Sequence, residues 1–169
     1  MLAMNISTED RKDPSHDKLI AELTRLNNAY VTIGFHDDAG TYPDGTDVVT
    51  VALANEFGAD IENGFGEGIA IHIPERSFIR STIDEHMNEI NQFREEALAN
   101  MIEKGWSIEK ALESVGFKIQ VLIQNKIQSN VPPENADSTI AKKEREGKAI
   151  RTLMDSRLML RSVTYKVFA

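Results

Sequence analysis

The sequence predicts an α+β fold: two long antiparallel helices packed on a small, mostly antiparallel sheet, with short flanking helices. Three observations carry this. Apolar residues recur at helical spacing through Ile79, Ile83, Met87, Ile90, Ala97 and Met101, and again through Leu112, Val115, Ile119, Leu122 and Ile127. Strand-like segments stand apart from these helices, at 30–35 (YVTIGF), 69–73 (IAIHI) and 161–168. The order of elements lacks the strand–helix–strand rhythm of a parallel nucleotide-binding sheet.

The stretch from Phe78 to Asn130 is the scaffold. Gly105 breaks its helical pattern, and Ser107 stands where an N-cap hydroxyl accepts a backbone N–H, with Glu109 just inside the positive helix end. So short a connection predicts antiparallel packing of the two helices. The start of the first helix is open between Ser77, Ser81 and a capping box of Thr82 with Glu85. Val131-Pro132-Pro133 forbids continuation of the second.

Residues 1–16 are polar and mixed in charge and read as a flexible N-terminal arm, leaving 17–169 as a single domain. Asp17 is positioned to cap a helix carrying Leu19, Ile20, Leu23 and Leu26 on one face, closed by Asn27 and Asn28. The strand at 30–35 runs into a loop, 36–46, with turn chemistry at Pro43-Asp44-Gly45. A helix follows from Asp47 to Phe57, ended by Gly58. The glycine-bearing segment 58–68 lacks the lysine of a phosphate-binding loop, carries acids and is not framed by strand and helix, so it reads as a surface loop. Pro74 stops the strand at 69–73. Beyond the scaffold, Ser138 to Glu146 reads as a short polar helix and 153–158 as a last helical turn. In the final strand Val163, Tyr165 and Val167 alternate with Ser162, Thr164 and Lys166.

A chain of 169 residues and 18.9 kDa is long enough to bury a real core. The absence of cysteine removes disulfides and thiolate chemistry. Neither a secretory leader pattern nor an apolar run of membrane-spanning length is present, which predicts a soluble protein with no membrane partner. The net charge of −8 is uneven: residues 140–169 carry eight Lys/Arg against three Asp/Glu, or +5, so the other 139 residues sum to −13. That division suits head-to-tail contact between copies, nucleic-acid binding by the tail, or two solvated faces.

The residues show no catalytic or metal-binding constellation. None of the four histidines, His16, His36, His72 and His86, has a partner at metal-ligand spacing. His36-Asp37-Asp38 would converge on a cation only in a tight loop, and a solvated loop is the simpler account. His72 reads as the outward side of a half-buried strand. The adjacent carboxylates Asp84/Glu85 and Glu95/Glu96 lie about 100° apart around a helix and do not face one target. Nothing demands an enzyme, a metal or a cofactor.

One ordered series does rise above a generic α+β chain. Val51-Ala52 and Glu56-Phe57-Gly58 are followed by Ile73-Pro74, Arg76 and Phe78-Ile79-Arg80, then two long helices. Next come Pro132-Pro133, Asn135, Thr139 and Lys142, and finally Leu153-Met154-Asp155-Ser156 leading to Ser162-Val163-Thr164-Tyr165-Lys166-Val167. This order resembles the small neck and tail-completion (virion morphogenesis) proteins of tailed bacteriophages, over about residues 48–167. Two positions depart from the family pattern: Thr152 stands where proline is usual, and Arg157 where glycine is usual. Glycine permits a positive-φ turn, so Arg157 implies that the helix runs on locally or turns differently.

The resemblance implies a structural protein of the head–tail junction, found in the virion neck and in the host cytoplasm during assembly. It would join the DNA-filled head to the tail as part of a ring. Its partners would be copies of itself, neighbouring neck, connector and tail proteins, and DNA passing through the channel without specific binding. Nothing matched is catalytic in that family, and no cofactor is implied. The candidate inter-subunit residues are Arg76, Arg80, Lys142, Lys143, Arg145, Arg157 and Arg161. Arg76 and Arg80 either offer a double cation to an acidic neighbour or form local salt bridges to Asp84 or Glu85. Loops 36–46 and 58–68 would order on neighbouring rings. The alternative is a nucleic-acid-binding accessory protein using the basic segment 140–166.

Overall fold

A computed structural model of the chain describes residues 14–62, 68 and 70–169. Residues 1–13 of the arm expected at 1–16, residues 63–67 of the segment 58–68 and residue 69 of the strand expected at 69–73 lie outside the described residues, while residues 14–16 of that arm belong to the first helix. The architecture is the predicted α+β one. The longest helix, α5 (Ile108–Gln128), is the central element. Against one side lies α4 (Met87–Lys104), running antiparallel, since Glu96 pairs with Lys118 while Glu85, two residues before α4, pairs with Lys126. Against the other lies an antiparallel pair, β1 (Tyr30–Gly34) with β4 (Thr164–Phe168), in the register Val31↔Val167 and Ile33↔Tyr165. The predicted alternation in β4 puts Tyr165 and Val167 on the α5 side with Val31 and Ile33.

Helix and sheet meet at a glycine the sequence reading did not single out. A Cβ at Gly116 on α5 would come within 2.9 Å of the Tyr165 ring and of Val31 Cγ2. Only a hydrogen on that Cα lets the sheet sit at this depth. The core then fills from Phe78, Met101, Ile108, Ile123, Ile127 and Val163, all buried.

Several boundaries move for identifiable reasons. The first helix, α1 (Pro14–Arg25), begins at Pro14, so Asp17 lies inside its first turn rather than capping it. Proline suits a first helical position because its missing N–H costs nothing there. The helix α2 (Val48–Phe57) follows its prediction: Asp47 accepts the Thr50 N–H at 2.9 Å, and Gly58 ends it at φ 75°. A side chain at Gly58 would also press on Ile73 O and Glu75 N at 3.2 Å.

A small strand, β2 (Ala59–Ile61), follows within the segment read as loop and pairs antiparallel with β3 (Ile71–Ile73). Three residues are too few for periodicity to reveal. The predicted first long helix is divided at His86 (φ −109°, ψ 16°) into α3 (Arg80–Glu85) and α4. Gly105 closes α4 in the left-handed conformation, and Ser107 caps α5 by accepting the Lys110 N–H at 3.3 Å, both as predicted.

After α6 (Asp137–Arg145), the predicted turn at 153–158 is displaced. The helix there is α7 (Leu158–Ser162), because Leu153 (φ 59°) and Arg157 (φ 60°) both take left-handed backbone and exclude helix between them. Loop 36–46 is held within the single chain: Tyr42 and Thr46 bond across the Pro43-Asp44-Gly45 turn at 2.8 Å, and Ser162 Oγ donates to Ala39 O at 2.9 Å. No described helix is long and apolar enough to cross a membrane.

Candidate functional site

Several residues of the ordered series meet in polar contacts at the corner between β3 and α3. At its centre is Glu56, on the last turn of α2 and only 3% exposed. Its carboxylate accepts the backbone N–H of Phe78 (2.7 Å), Ile79 (2.9 Å) and Arg80 (3.0 Å), together with the Ser77 hydroxyl (2.8 Å). These are the donors a helix start leaves unpaired, so a side chain from a distant helix caps α3. Burial opposes ionisation of Glu56, but the N–H groups of Ile79 and Arg80, the Ser77 hydroxyl and the Phe78 N–H outweigh it and hold the carboxyl below its ordinary value.

Arg80 completes the arrangement. Its Nε donates to the Glu56 carboxylate at 3.1 Å and its Nη2 donates to both Glu56 O (2.8 Å) and Glu75 Oε1 (2.7 Å), while the group stacks 4.6 Å from the exposed Phe57 ring. The local partners are thus Glu56 and Glu75, not Asp84 or Glu85. Arg76 does not join it in a double cation offered to a neighbour. It is 7% exposed, and it donates to the carbonyls of Pro133 (2.8 Å) and Glu134 (2.9 Å), fastening the chain after α5 to the strand-to-helix corner. Burial lowers its pKa.

The basic C-terminal segment divides in the same way. Lys143 is 6% exposed and donates to Arg151 O (2.6 Å) and Met154 O (3.0 Å), so it closes the loop between α6 and α7 rather than facing a neighbour. Helical geometry is the reason: Lys142 and Arg145 occupy the exposed face, and Lys143, between them in sequence, points inward. Burial lowers the Lys143 pKa. Lys148 pairs with Glu146 and Asp155, Arg151 donates to Gln128 O, and Lys166 pairs with Asp38. Among the described residues, Lys142, Arg145, Arg157 and Arg161 are exposed and their side chains make no ion pair.

The two departures from the family pattern have structural meaning. Thr152 uses the groups a proline would lack: its N–H donates to Asn130 Oδ1 at 2.8 Å, and its hydroxyl to Val131 O at 2.7 Å. Arg157 does not let the helix run on. It takes the positive φ itself, making the turn that glycine makes more easily.

The histidines are dispersed. His36 lies between the hydroxyls of Thr32 and Thr164, each at 2.9 Å; His72 faces outward beside Asp60 at 2.7 Å; His86 pairs with Glu89 at 2.8 Å. No group of three metal-ligating side chains occurs among the described residues. What the surface offers is four exposed cations on α6 and around α7, and exposed apolar side chains including Leu53, Phe57 and Phe117. No protein-family model matches the sequence, and no curated protein or solved structure matches it.

Proposed function

We propose that this chain is a structural virion protein of the head–tail junction, which joins a DNA-filled phage head to its tail as part of a ring. One observation carries the reading. Several residues of the ordered series meet across long sequence separations: Glu56 binds the start of α3, and Arg76 binds the carbonyl of Pro133. These contacts tie together segments of the ordered series that lie far apart in the sequence, as a shared scaffold would. In this account the matched residues build the subunit, and assembly falls to the surface left over.

Within the basic segment 140–166, Lys142, Arg145, Arg157 and Arg161 are the cations left for a neighbour, and the excess of acidic residues in the rest of the chain gives them complementary surface on the next copy. The nucleic-acid reading is weakened by the same observation, since half of the eight cations in the segment are engaged within the subunit. Electron microscopy of lysates from a phage with this gene disrupted tests the proposal. Full heads beside unattached tails are expected; normally joined particles would remove it.

A further inference from the structure

Loop 36–46, α2, α6 and the segment leading into α7 enclose a cavity of about 550 Å³. That volume falls in the range of small-molecule sites, which pair an apolar wall with a few placed polar groups. Here the apolar wall comes from Val51 of α2, from Leu153 and Met154, and from the buried Met159. The polar side comes from α6. Ser138 and Thr139 stand one helical turn before Lys142, so their hydroxyls and its ammonium share a face that lines the cavity. Among the described residues, neither hydroxyl nor the Lys142 ammonium has a hydrogen bond or an ion pair.

Two acids also line the cavity, and both are engaged: Asp44 accepts the Thr46 N–H at 2.9 Å, and Asp155 pairs with Lys148 at 3.0 Å. The unused groups are therefore donors, which select an acceptor. Charge narrows the choice further. A dianionic phosphate would bring a second negative charge in beside Asp44 and Asp155, whereas a cation would lie beside Lys142 and the ammonium of Lys143, which also lines the cavity. A single carboxylate avoids both penalties and matches three donors.

We propose that this cavity binds a small amphipathic monocarboxylate, with the carboxylate on Lys142, Ser138 and Thr139 and the apolar body against Val51, Leu153, Met154 and Met159. The site is independent of the virion reading, and its test uses the isolated full chain.

Phenylbutyrate is a suitable probe, with phenylbutanol as its neutral analogue and phenylbutylamine as the cation, each followed through the backbone amide NMR shifts of the protein. The acid should shift the amides of Val51, Thr139, Leu153 and Met154 saturably and bind about fivefold more tightly than the alcohol, with the amine weakest. Lys142→Met should erase the preference for the acid while the melting temperature and the binding of the alcohol stay as they were. Ser138→Ala/Thr139→Val should reduce the same preference. Equal binding of acid and alcohol would overturn the proposal, as would an undiminished preference in Lys142→Met, shifts confined to residues outside this cavity, or no saturable shift at all.

Discussion

The carboxylate of Glu56 accepts both the backbone N–H of Arg80, at 3.0 Å, and its Nε, at 3.1 Å, so one buried group starts a helix and holds the first side chain of that helix. The same device recurs at α5, where Glu22 of α1 accepts the Ile108 N–H at 2.9 Å and Arg25 bridges Glu22 and Glu109. Each half of the scaffold is thus fastened at its start by a glutamate from another helix. A cap of this kind ties tertiary structure to helix formation, since neither forms fully without the other.

Removing the first of these caps should be costly. Glu56→Ala strips the partner from several buried donors and should destabilise the fold by about 3 kcal/mol. Glu85→Ala, which removes an exposed carboxylate paired with Lys126, should cost much less. Urea unfolding of the two variants measures the difference, and equal midpoints would contradict the assigned role.

Acid should act through the same residue. The folded-state pKa of Glu56 is depressed, so its stabilisation is complete above the unfolded value of about 4.3 and is lost as pH falls from there through the lower folded value. Between neutrality and pH 5 the contribution is constant. Melting temperature followed down from pH 6 should therefore fall less steeply below about pH 4.3 in Glu56→Gln than in the wild type. Parallel curves would contradict this.

Neighbouring lysines should behave in opposite ways. Lys143→Met leaves the carbonyls of Arg151 and Met154 without their donor and should cost about 2 kcal/mol. Lys142→Glu and Arg145→Glu should leave the melting temperature nearly unchanged, because both side chains are exposed. Charge-reversal tests of assembly therefore belong at Lys142, Arg145, Arg157 and Arg161, with Lys143 kept intact.

Arg157→Gly should stabilise the protein by about 0.5–1 kcal/mol, because glycine meets φ 60° without the clash of a Cβ, and the gain exceeds the added freedom of the unfolded chain. Thermal melts of the single variant check this. A lower melting temperature would place a stabilising contact on the Arg157 side chain.

What the sequence made legible is what local chemistry decides. Long apolar periods located α4 and α5, Ser107 and Gly105 marked their junction, and alternation marked β4 with its inward face. Remote partners were not legible. The cap of α3 comes from a residue more than twenty positions earlier, so a search among Ser77, Ser81 and Thr82 found only Ser77, which accepts the Ser81 N–H at 3.3 Å. Strand β2 was too short for a period, and the left-handed turns at Leu153 and Arg157 have no glycine to announce them. Among the candidate interface residues, charge alone did not separate Arg76 and Lys143, each aimed at backbone carbonyls, from the four cations that face solvent. One signal was available for Lys143: on a helix it points about 100° away from Lys142, toward the side that carries Ile140.

In-vitro complementation tests the assembly role. Purified protein is added to a lysate of full heads and free tails from a phage lacking this gene, and infectious particles are counted. The wild-type chain should restore infectivity, and charge reversal at Lys142, Arg145, Arg157 and Arg161 together should abolish restoration in a variant that still melts cooperatively. Joined, infectious particles in the untreated lysate would contradict it.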